Sequence, residues 1–386
     1  MKLTRAAWME IDLDKLSNNI KTIRDNLESG TKIISVVKSN AYGFGAIKIV
    51  GALIKEGIDY FAVATLNEAL ELRREYKYID ILILGYTHDY LLDMALKSNI
   101  DITITDFNQA KVLNNIAKEL NVISNIHIAI DTGMNRIGFK YFDNAINEIE
   151  SISKLSNISI KGIFTHFLAS DKDETRTREQ FNEFKNILDE LSLRNVDVGL
   201  RHICNSTGIL NYKEYNLDAV RPGIIQYGST ENIKSKYTDF NISYIGEIKA
   251  LVSNVKIIKK GETVSYGGIF KAERDTQIVT IPIGYADGFI RILSGKLEVL
   301  IKGKRYKQVG RICMDQMMID ATGADVKIGD EVVLLGSSGN EKISISEISN
   351  KAGEIDTSYS CHFNRRLPRI YFKNKKICEV VDEVLS

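Results

Sequence analysis

The sequence predicts an α/β protein in which a (β/α)8 barrel is followed by a mostly β domain. Short apolar, β-like runs recur eight times before residue 240, each separated by a segment long enough for a helix. Beyond that point the runs are short and alternating, glycines lie between or beside them, and one helical pattern occurs at 345–352. We therefore expect an N-terminal strand at 1–10, which could pair with either half, a barrel at 11–240 and a β-rich domain at 241–386.

The barrel strands are expected at eight positions along the chain. They are 33–37, 60–64, 81–84, 101–105, 126–130, 160–165, 200–204 and 217–225. Helical periodicity between them is clearest at 67–74, 108–120 and 179–191. In the β domain we expect strands at 247–252, 277–281, 296–301, 308–314 and 331–335. No Gly-x-Gly-x-x-Gly opens a helix after a strand, which argues against a dinucleotide-binding fold.

The composition is that of a globular protein with a substantial core. Of 386 residues, 44% are hydrophobic and 26% are charged, with 51 Lys and Arg against 50 Asp and Glu. This balance predicts neither a nucleic-acid nor a membrane partner. The four cysteines are widely spaced without a Cys-x-x-Cys pair, so we expect free thiols and no metal site. Charges at Glu10 and Asp12 interrupt the start before an apolar segment forms, which predicts a cytoplasmic protein.

Polar residues follow several of the predicted barrel strands. Lys38 closes the first apolar run, where its ammonium must be hydrated, paired or neutralised. On its own, a lysine in this place is more often one that extends to water than an amine that forms a Schiff base. The active sites of such barrels lie at the C-terminal ends of the strands. Further polar residues at these ends are Arg136, His166, Asn205, Ser206, Thr207 and Arg221. Their convergence favours the catalytic interpretation of Lys38.

The loops after the seventh and eighth strands have the composition of a phosphate site. Ser206, Thr207, Gly223 and Ile224 supply small side chains and accessible backbone N–H groups. A helix cap and a turn explain the same residues, and those interpretations are compatible with phosphate binding. A phosphate opposite a buried lysine is what pyridoxal phosphate requires. If Arg221 faces the pyridine nitrogen, transamination is disfavoured and simple proton removal and return remains.

The whole chain resembles the bacterial alanine racemases, which are pyridoxal phosphate enzymes of fold type III. The resemblance rests on eight blocks in the same order, namely Val37-Lys38-Ser39-Asn40-Ala41-Tyr42-Gly43, Asp131-Thr132-Gly133-Met134-Asn135-Arg136-Ile137-Gly138, Asn205-Ser206-Thr207, Arg221-Pro222-Gly223-Ile224, Ser265-Tyr266-Gly267, Gly284-Tyr285-Ala286-Asp287-Gly288, Gly310-Arg311-Ile312-Cys313-Met314-Asp315-Gln316 and Arg366-Leu367-Pro368-Arg369-Ile370. It implies a cytoplasmic racemase that supplies D-alanine for peptidoglycan.

The resemblance also implies residue roles. Lys38 would carry the cofactor and act as base on one face of the substrate, with Tyr266 as base on the other. The other cofactor-binding residues would be Tyr42, Arg136, His166, Asn205, Ser206, Arg221, Gly223 and Ile224. The substrate-binding residues would be Arg136, Tyr285, Cys313, Met314 and Thr357. An entry corridor would be lined by Asp171, His202, Tyr285, Arg291 and Arg311. Tyr266 and Met314 would reach the site of the other subunit of a head-to-tail homodimer.

Two positions depart from the family pattern. Ala129 stands where many members carry a carbamylated lysine that positions the arginine, so Arg136 must be held in another way. Thr357 stands where the family has a second pocket tyrosine, and Tyr359 could replace it only if the loop differs. A larger pocket keeps serine, lysine and ornithine open as substrates beside alanine. Amino-acid decarboxylation and non-catalytic pyridoxal phosphate binding are the alternatives of other classes.

Overall fold

Eight parallel strands close into a barrel in the computed structural model, which describes residues 3–140, 144–231, 235–236 and 240–385. Strand β1, Ala7–Asp12, precedes the barrel. The barrel strands are β2 Lys32–Val36, β3 Tyr60–Val63, β4 Asp80–Ile83, β5 Asp101–Ile104, β6 Ser124–Ala129, β7 Ile158–Phe164, β8 Leu200–His202 and β9 Ala219–Val220. They follow one another around the barrel, and β9 pairs with β2 to close it. The predicted fold class is confirmed.

Helices connect the strands of this barrel. They are α1 Leu13–Asp25, α2 Lys38–Tyr42, α3 Ala46–Lys55, α4 Leu66–Glu75, α5 Asp89–Lys97, α6 Phe107–Glu119, α7 Ala145–Ser153, α8 Glu174–Leu193 and α9 Ser206–Asn211, with three-ten turns at Lys213–Tyr215 and Ile224–Tyr227. Among the residues that the structure describes, no helix combines the length and the apolarity needed to cross a membrane.

The C-terminal part is a large, mostly antiparallel sheet. Its strands are β10 Gly246–Leu251, β11 Asn254–Ile258, β12 Thr263–Val264, β13 Phe270–Lys271, β14 Thr276–Ile281, β15 Glu298–Ile301, β16 Lys304–Val309, β17 Met317–Asp320, β18 Glu331–Ser338, β19 Glu341–Ile343, β20 Arg369–Lys373 and β21 Lys376–Val381. The order is β11-β14-β17-β16-β15-β18-β10-β1-β20-β21, with β19 on β18 and β12-β13 as a separate pair. Two helices, α10 Ile345–Ala352 and α11 Asp356–Ser360, and three-ten turns at Tyr266–Gly268, Tyr285–Asp287 and Arg291–Leu293 complete this part.

Strand β1 lies in the C-terminal sheet, antiparallel to β10 and parallel to β20. The chain then enters α1, where the Asp12 carboxylate caps the helix by accepting from the N–H groups of Asp14 and Lys15. Asn19 of α1 donates to the carbonyl of Ser243 at 2.8 Å, which joins α1 to the segment before β10. The domain limits 1–10, 11–240 and 241–386 stay predictions, and residues 1–2 and 237–239 beside them lie outside the described residues.

Three predicted elements are corrected by the structure. The run 217–225 forms only a two-residue strand, because Pro222 has no N–H for a ladder and Ile224 starts a three-ten turn. The run 308–314 ends as a strand at Val309, since Gly310 takes a φ of 72°. Helix α8 begins five residues before the predicted 179, capped by Asp173, because its first turn is polar and lacks apolar periodicity. The short helix α11 is not predicted.

Candidate active site

Lys38 lies just beyond the C-terminal end of β2 and opens a left-handed turn. Residues 39–42 have φ angles between 51° and 56°. This conformation costs roughly 1–2 kcal/mol for each residue other than glycine, so neighbouring contacts must hold it. The turn brings the Tyr42 hydroxyl beside Gly223, which follows β9 on the adjacent side of the barrel.

Three polar contacts hold the turn. The N–H of Ser39 donates to Glu68 Oε1 at 2.6 Å. Asn40 Oδ1 accepts from the N–H of Ala46 at 2.6 Å, while Asn40 Nδ2 donates to Glu383 Oε1 at 3.2 Å. The C-terminal segment therefore helps to fix the backbone that carries Lys38.

The surroundings of Lys38 favour its neutral amine. Burial lowers the pKa of Lys38 below its ordinary value, and the cations Arg136 and Arg221 add to this effect. Glu68 and the thiol of Cys361 act in the opposite direction. A lysine of lowered pKa is a better nucleophile and proton acceptor at neutral pH. From the sequence Cys361 is expected only to be a free thiol, because its separation from Lys38 along the chain gives no sign of their proximity.

Tyr42, Ser206 and Gly223 enclose a small space at the barrel mouth. A Cβ atom added to Gly223 would lie 2.6 Å from the Tyr42 hydroxyl oxygen and 3.6 Å from Ser206 Oγ. Ser206 Oγ accepts from the N–H of Gly223 at 3.0 Å, and Ile224 begins the next three-ten turn. Two hydroxyls and the backbone N–H groups of a tight turn are donors that suit a phosphate. These residues therefore fit a phosphate-bearing cofactor.

Asn205 has a structural role beside this space. Its Oδ1 accepts from the N–H of Gly208 at 2.9 Å, which caps α9, and from the Ser170 hydroxyl at 3.3 Å. Because the amide oxygen is engaged, binding of a cofactor by Asn205 stays a prediction that depends on its amide nitrogen.

Arg221 is a buried cation, with 3% of its surface exposed. Its Nη2 donates to the carbonyls of Thr165 at 2.7 Å and Ile203 at 3.0 Å, and contacts His166 Nδ1 at 3.4 Å. Burial, with Arg136 nearby, lowers the pKa of Arg221 to about 10, so it remains charged at neutral pH. Burial and the same cations lower the pKa of His166 to about 3, so this imidazole is neutral.

Arg136 stands on a loop that Asp131 shapes. Asp131 Oδ1 accepts from the N–H groups of Gly133 at 3.0 Å and Asn135 at 2.9 Å. The Arg136 guanidinium is exposed, and no ion pair joins it to another residue that the structure describes. Ala129, the last residue of β6, is buried and offers only a methyl group. Arg136 is therefore open to a ligand carboxylate or phenolate oxygen.

The placement of His202 in an entry corridor is wrong. His202 is completely buried at the end of β8, inside the barrel. Its Nδ1 accepts from Arg221 Nη1 at 2.6 Å, and its Nε2 contacts His127 Nδ1 at 2.8 Å, so its ring points towards the barrel interior. The resemblance matched positions along the chain and carried no information on depth. Asp171 lies exposed on the loop after β7, beside Lys172.

A second cluster forms in the C-terminal part around Tyr266, in the turn between β12 and β13. The side chain of Tyr266 is 70% exposed, and its carbonyl accepts from Arg311 Nε at 3.1 Å. Ser265 Oγ donates to the carbonyl of Arg311 at 2.7 Å and lies 3.4 Å from Cys313 Sγ. These contacts join the turn that carries Tyr266 to the segment that carries Arg311 and Cys313.

Tyr285 and Met314 extend this second cluster. The N–H of Tyr285 donates to the carbonyl of Cys313 at 3.0 Å, and the N–H of Ala286 donates to that of Met314 at 3.1 Å. Gly284 permits this approach, since a Cβ there would lie 2.3 Å from the Cys313 carbonyl oxygen. The exposed Arg291 lies in the three-ten turn that follows.

Thr357 is tied to a residue that the sequence analysis does not single out. Both its N–H and its hydroxyl donate to Glu231 Oε1, the former at 2.9 Å. Its carbonyl accepts from Cys361 Sγ at 3.3 Å. Since the Cys361 thiol also acts on the pKa of Lys38, Thr357 lies on the side of the site that contains Lys38. Tyr359 does not replace the missing pocket tyrosine, because it is buried and its hydroxyl donates to the carbonyl of Gly288 at 3.0 Å.

Both parts of the chain match family models. Residues 11–231 match the model of the alanine racemase N-terminal domain, and residues 245–371 match that of the C-terminal domain. Among curated relatives, the alanine racemase of Clostridium tetani (strain Massachusetts / E88) is 42% identical over 379 residues, which are 97% of this chain and 98% of the relative.

Solved structures are similar along the entire chain. The alanine racemase of Clostridium difficile 630 is 35% identical, with 99% of each chain covered and a TM-score of 0.92. The alanine racemase from Bacillus anthracis with bound L-Ala-P is 31% identical, with 100% of each chain covered and a TM-score of 0.93. Because both domains match in order and relatives align over nearly their full length, this chain belongs to the alanine racemase family.

Proposed function

We propose that this chain interconverts L- and D-alanine with pyridoxal 5'-phosphate as cofactor and with Lys38 and Tyr266 as the two bases. The observation that carries the proposal is the meeting, at one barrel mouth, of a lysine of lowered pKa, a buried arginine and the cradle formed by Tyr42, Ser206 and Gly223. Family membership supports the reaction type and the substrate.

The cofactor would be held at both ends. Tyr42, Ser206, Gly223 and Ile224 would bind its phosphate, and Arg221 would face its ring nitrogen. When bound, pyridoxal phosphate withdraws electrons from the substrate Cα and makes the Cα–H bond acidic. Arg221 keeps its own proton, which limits the charge that the ring can store and favours removal and return of one proton over transamination. The remaining cofactor contacts proposed are those of Lys38, Arg136, His166 and Asn205.

Racemisation requires a proton to leave one face of Cα and another to reach the opposite face. Lys38 Nζ, with its lowered pKa, would hold or release the proton on one face. Tyr266 Oη would do so on the other. The Arg136 guanidinium, open and cationic, would bind the substrate carboxylate and limit its rotation. Thr357, Tyr285, Cys313 and Met314 would complete the substrate pocket.

We propose that Tyr266 acts as a base in the active site that contains Lys38 of a second copy of the chain. Tyr266 and Met314 are 70% and 51% exposed, so the cluster around them faces outward on a single chain. A general base left in water competes with solvent for its proton, whereas an interface would exclude water. This exposure supports a head-to-tail homodimer, and we further propose, from membership of the family, that the protein makes D-alanine for peptidoglycan in the cytoplasm.

The test is an assay of the purified protein with pyridoxal phosphate and a panel of L-amino acids, with enantiomers separated by chiral chromatography. We expect D-alanine from L-alanine, and the reverse, faster than racemisation of serine, lysine or ornithine. A preference of more than about tenfold for one of those substrates would contradict alanine as the substrate. Release of carbon dioxide without enantiomer formation would contradict the racemase reaction.

A further inference from the structure

A line of hydrogen bonds leads from Arg221 through the barrel interior to its opposite end. Arg221 Nη1 lies 2.6 Å from His202 Nδ1, and His202 Nε2 lies 2.8 Å from His127 Nδ1. His127 Nε2 lies 2.6 Å from the Tyr60 hydroxyl, which donates to Asp101 Oδ2 at 2.7 Å. Arg221 follows the last barrel strand, whereas Tyr60 and Asp101 are the first residues of β3 and β5. The line therefore spans the barrel from mouth to base.

Chemistry fixes the direction of every bond in this line. A guanidinium only donates, so His202 Nδ1 accepts and its proton is on Nε2. That proton goes to His127 Nδ1, which leaves the His127 proton on Nε2 for the Tyr60 oxygen. Burial, with Lys161 and Arg221 nearby, lowers the pKa of His127 to about 3, and burial with Arg221 lowers that of His202 as well. Both imidazoles are therefore neutral, and every bond points from Arg221 towards Asp101.

The line connects Arg221 to a carboxylate, which it does not have as a direct partner at the barrel mouth. Among the described residues no carboxylate forms an ion pair with Arg221, although a buried cation needs compensation. The carboxylate at the far end, Asp101, also accepts from Lys161 Nζ at 2.8 Å, and Lys161 is held by Asp80 Oδ1 at 2.9 Å. Hydrogen bonds that all point the same way polarise one another in a low dielectric. The Asp101 carboxylate is thus coupled to a guanidinium that it does not touch.

We propose that Tyr60 and Asp101 are positioning residues that fix the orientation and the charge of the Arg221 guanidinium through the neutral pair His127 and His202. The proposal rests on the proposed function in one respect, which is that Arg221 faces the cofactor ring. A polar core that is merely satisfied would keep the same contacts but would pass no effect on to Arg221.

Tyr60→Phe in the holoenzyme tests this, since it removes one hydroxyl and keeps the ring. The matched control is Tyr76→Phe, which removes a hydroxyl that donates to the Ile47 carbonyl outside this line. We expect Tyr60→Phe to lower kcat about three- to tenfold with KM changed less than about twofold, and the control to change neither.

Histidine side-chain NMR gives a readout that is independent of activity, and the chain has only five histidines. In the wild type we expect His127 and His202 as Nε2–H tautomers. In Tyr60→Phe the ring nitrogen signals of both should shift, although only His127 contacts Tyr60. Asp101→Asn, which removes the terminal charge and keeps an acceptor oxygen, should lower kcat and shift the His202 signals too.

Unchanged His202 signals and unchanged kcat in both variants would overturn the proposal. An Nδ1–H tautomer at His202 in the wild type would do so as well, because it is incompatible with donation from Arg221. Failure of the proposed function is a separate result, since it would appear as a wild-type protein without racemisation, whereas the tautomers can be measured in either case.

Discussion

The two halves of the proposed site differ in how far one chain completes them. At the barrel mouth Arg221 is buried and Tyr42 is packed beside Ser206 and Gly223, so the donors are in place before any ligand arrives. In the C-terminal part, the side chain of Tyr266 is 70% exposed, and its hydrogen bond with Arg311 uses its backbone carbonyl. A single chain thus prepares the proposed cofactor half and leaves Tyr266, the proposed second base, facing outward. This difference is the physical reason for the proposal that the complete site lies between two subunits.

The largest expected loss of activity comes from a substitution in the barrel half of the site. Lys38→Ala should lower racemisation by about 10³-fold or more, since it removes the cofactor attachment and one base together. It should also abolish the visible absorbance of the lysine-bound cofactor. Lys118→Ala, an exposed lysine on α6, is the control and should match the wild type. A Lys38→Ala protein that keeps both the absorbance and the activity would contradict the assignment of Lys38.

Tyr266→Phe removes the proposed base of the other half and leaves the residues of the barrel half unchanged. We expect kcat to fall by about 10²- to 10³-fold in both directions, because one face of Cα loses its proton carrier. Cofactor absorbance should be unchanged, since this variant keeps Lys38, the proposed point of attachment. Rates near wild type in both directions would show that another group supplies the second proton.

Mixing the two inactive variants tests whether each site takes one half from each of two chains. In a composite site, a heterodimer of Lys38→Ala and Tyr266→Phe has one doubly damaged site and one intact site. Random exchange of subunits should then restore about a quarter of the wild-type activity. If each site uses residues of a single chain, every site in the mixture carries one lesion and no activity returns.

The barrel half was also the more predictable half. Lys38, Arg136 and Arg221 each follow an apolar run, so the rule that barrel sites lie at the C-terminal ends of strands was enough to select them. The left-handed turn at residues 39–42 could not be predicted, because it depends on distant partners such as Glu68 and Glu383. Its residues include no glycine to signal a positive φ.

Depth inside the barrel was the other feature that the sequence did not reveal. Tyr60, His127 and Asp101 lie within or beside apolar runs, and nothing local indicates that they face one another across the barrel. The same lack of depth information led to the wrong placement of His202. For Tyr266 the motif selected the residue, but its exposure became known only from the structure.

Gly223→Ala is expected to weaken cofactor binding by the barrel half without removing a functional group. The new methyl would lie 2.6 Å from the Tyr42 hydroxyl oxygen, so the cradle must widen. Overpacking of this kind costs roughly 1–3 kcal/mol, or about 5- to 150-fold in cofactor affinity. Equilibrium titration with pyridoxal phosphate measures the change, and the thermal unfolding of the cofactor-free protein checks that the fold is retained. Undiminished affinity would exclude Gly223 from the phosphate site.

The smallest expected effect concerns Thr357, whose carbonyl accepts from the Cys361 thiol near Lys38. Thr357→Tyr restores the phenol found in the family pattern, and we expect it to raise the preference for alanine over serine about fivefold, since a narrower pocket rejects an added hydroxyl only modestly. The ratio of kcat/KM values for the two substrates measures this. Tyr359→Phe is the control and should leave the ratio unchanged, because its hydroxyl is engaged with the Gly288 carbonyl. A shift in the control equal to that in Thr357→Tyr would place Tyr359 in the pocket and remove Thr357 from it.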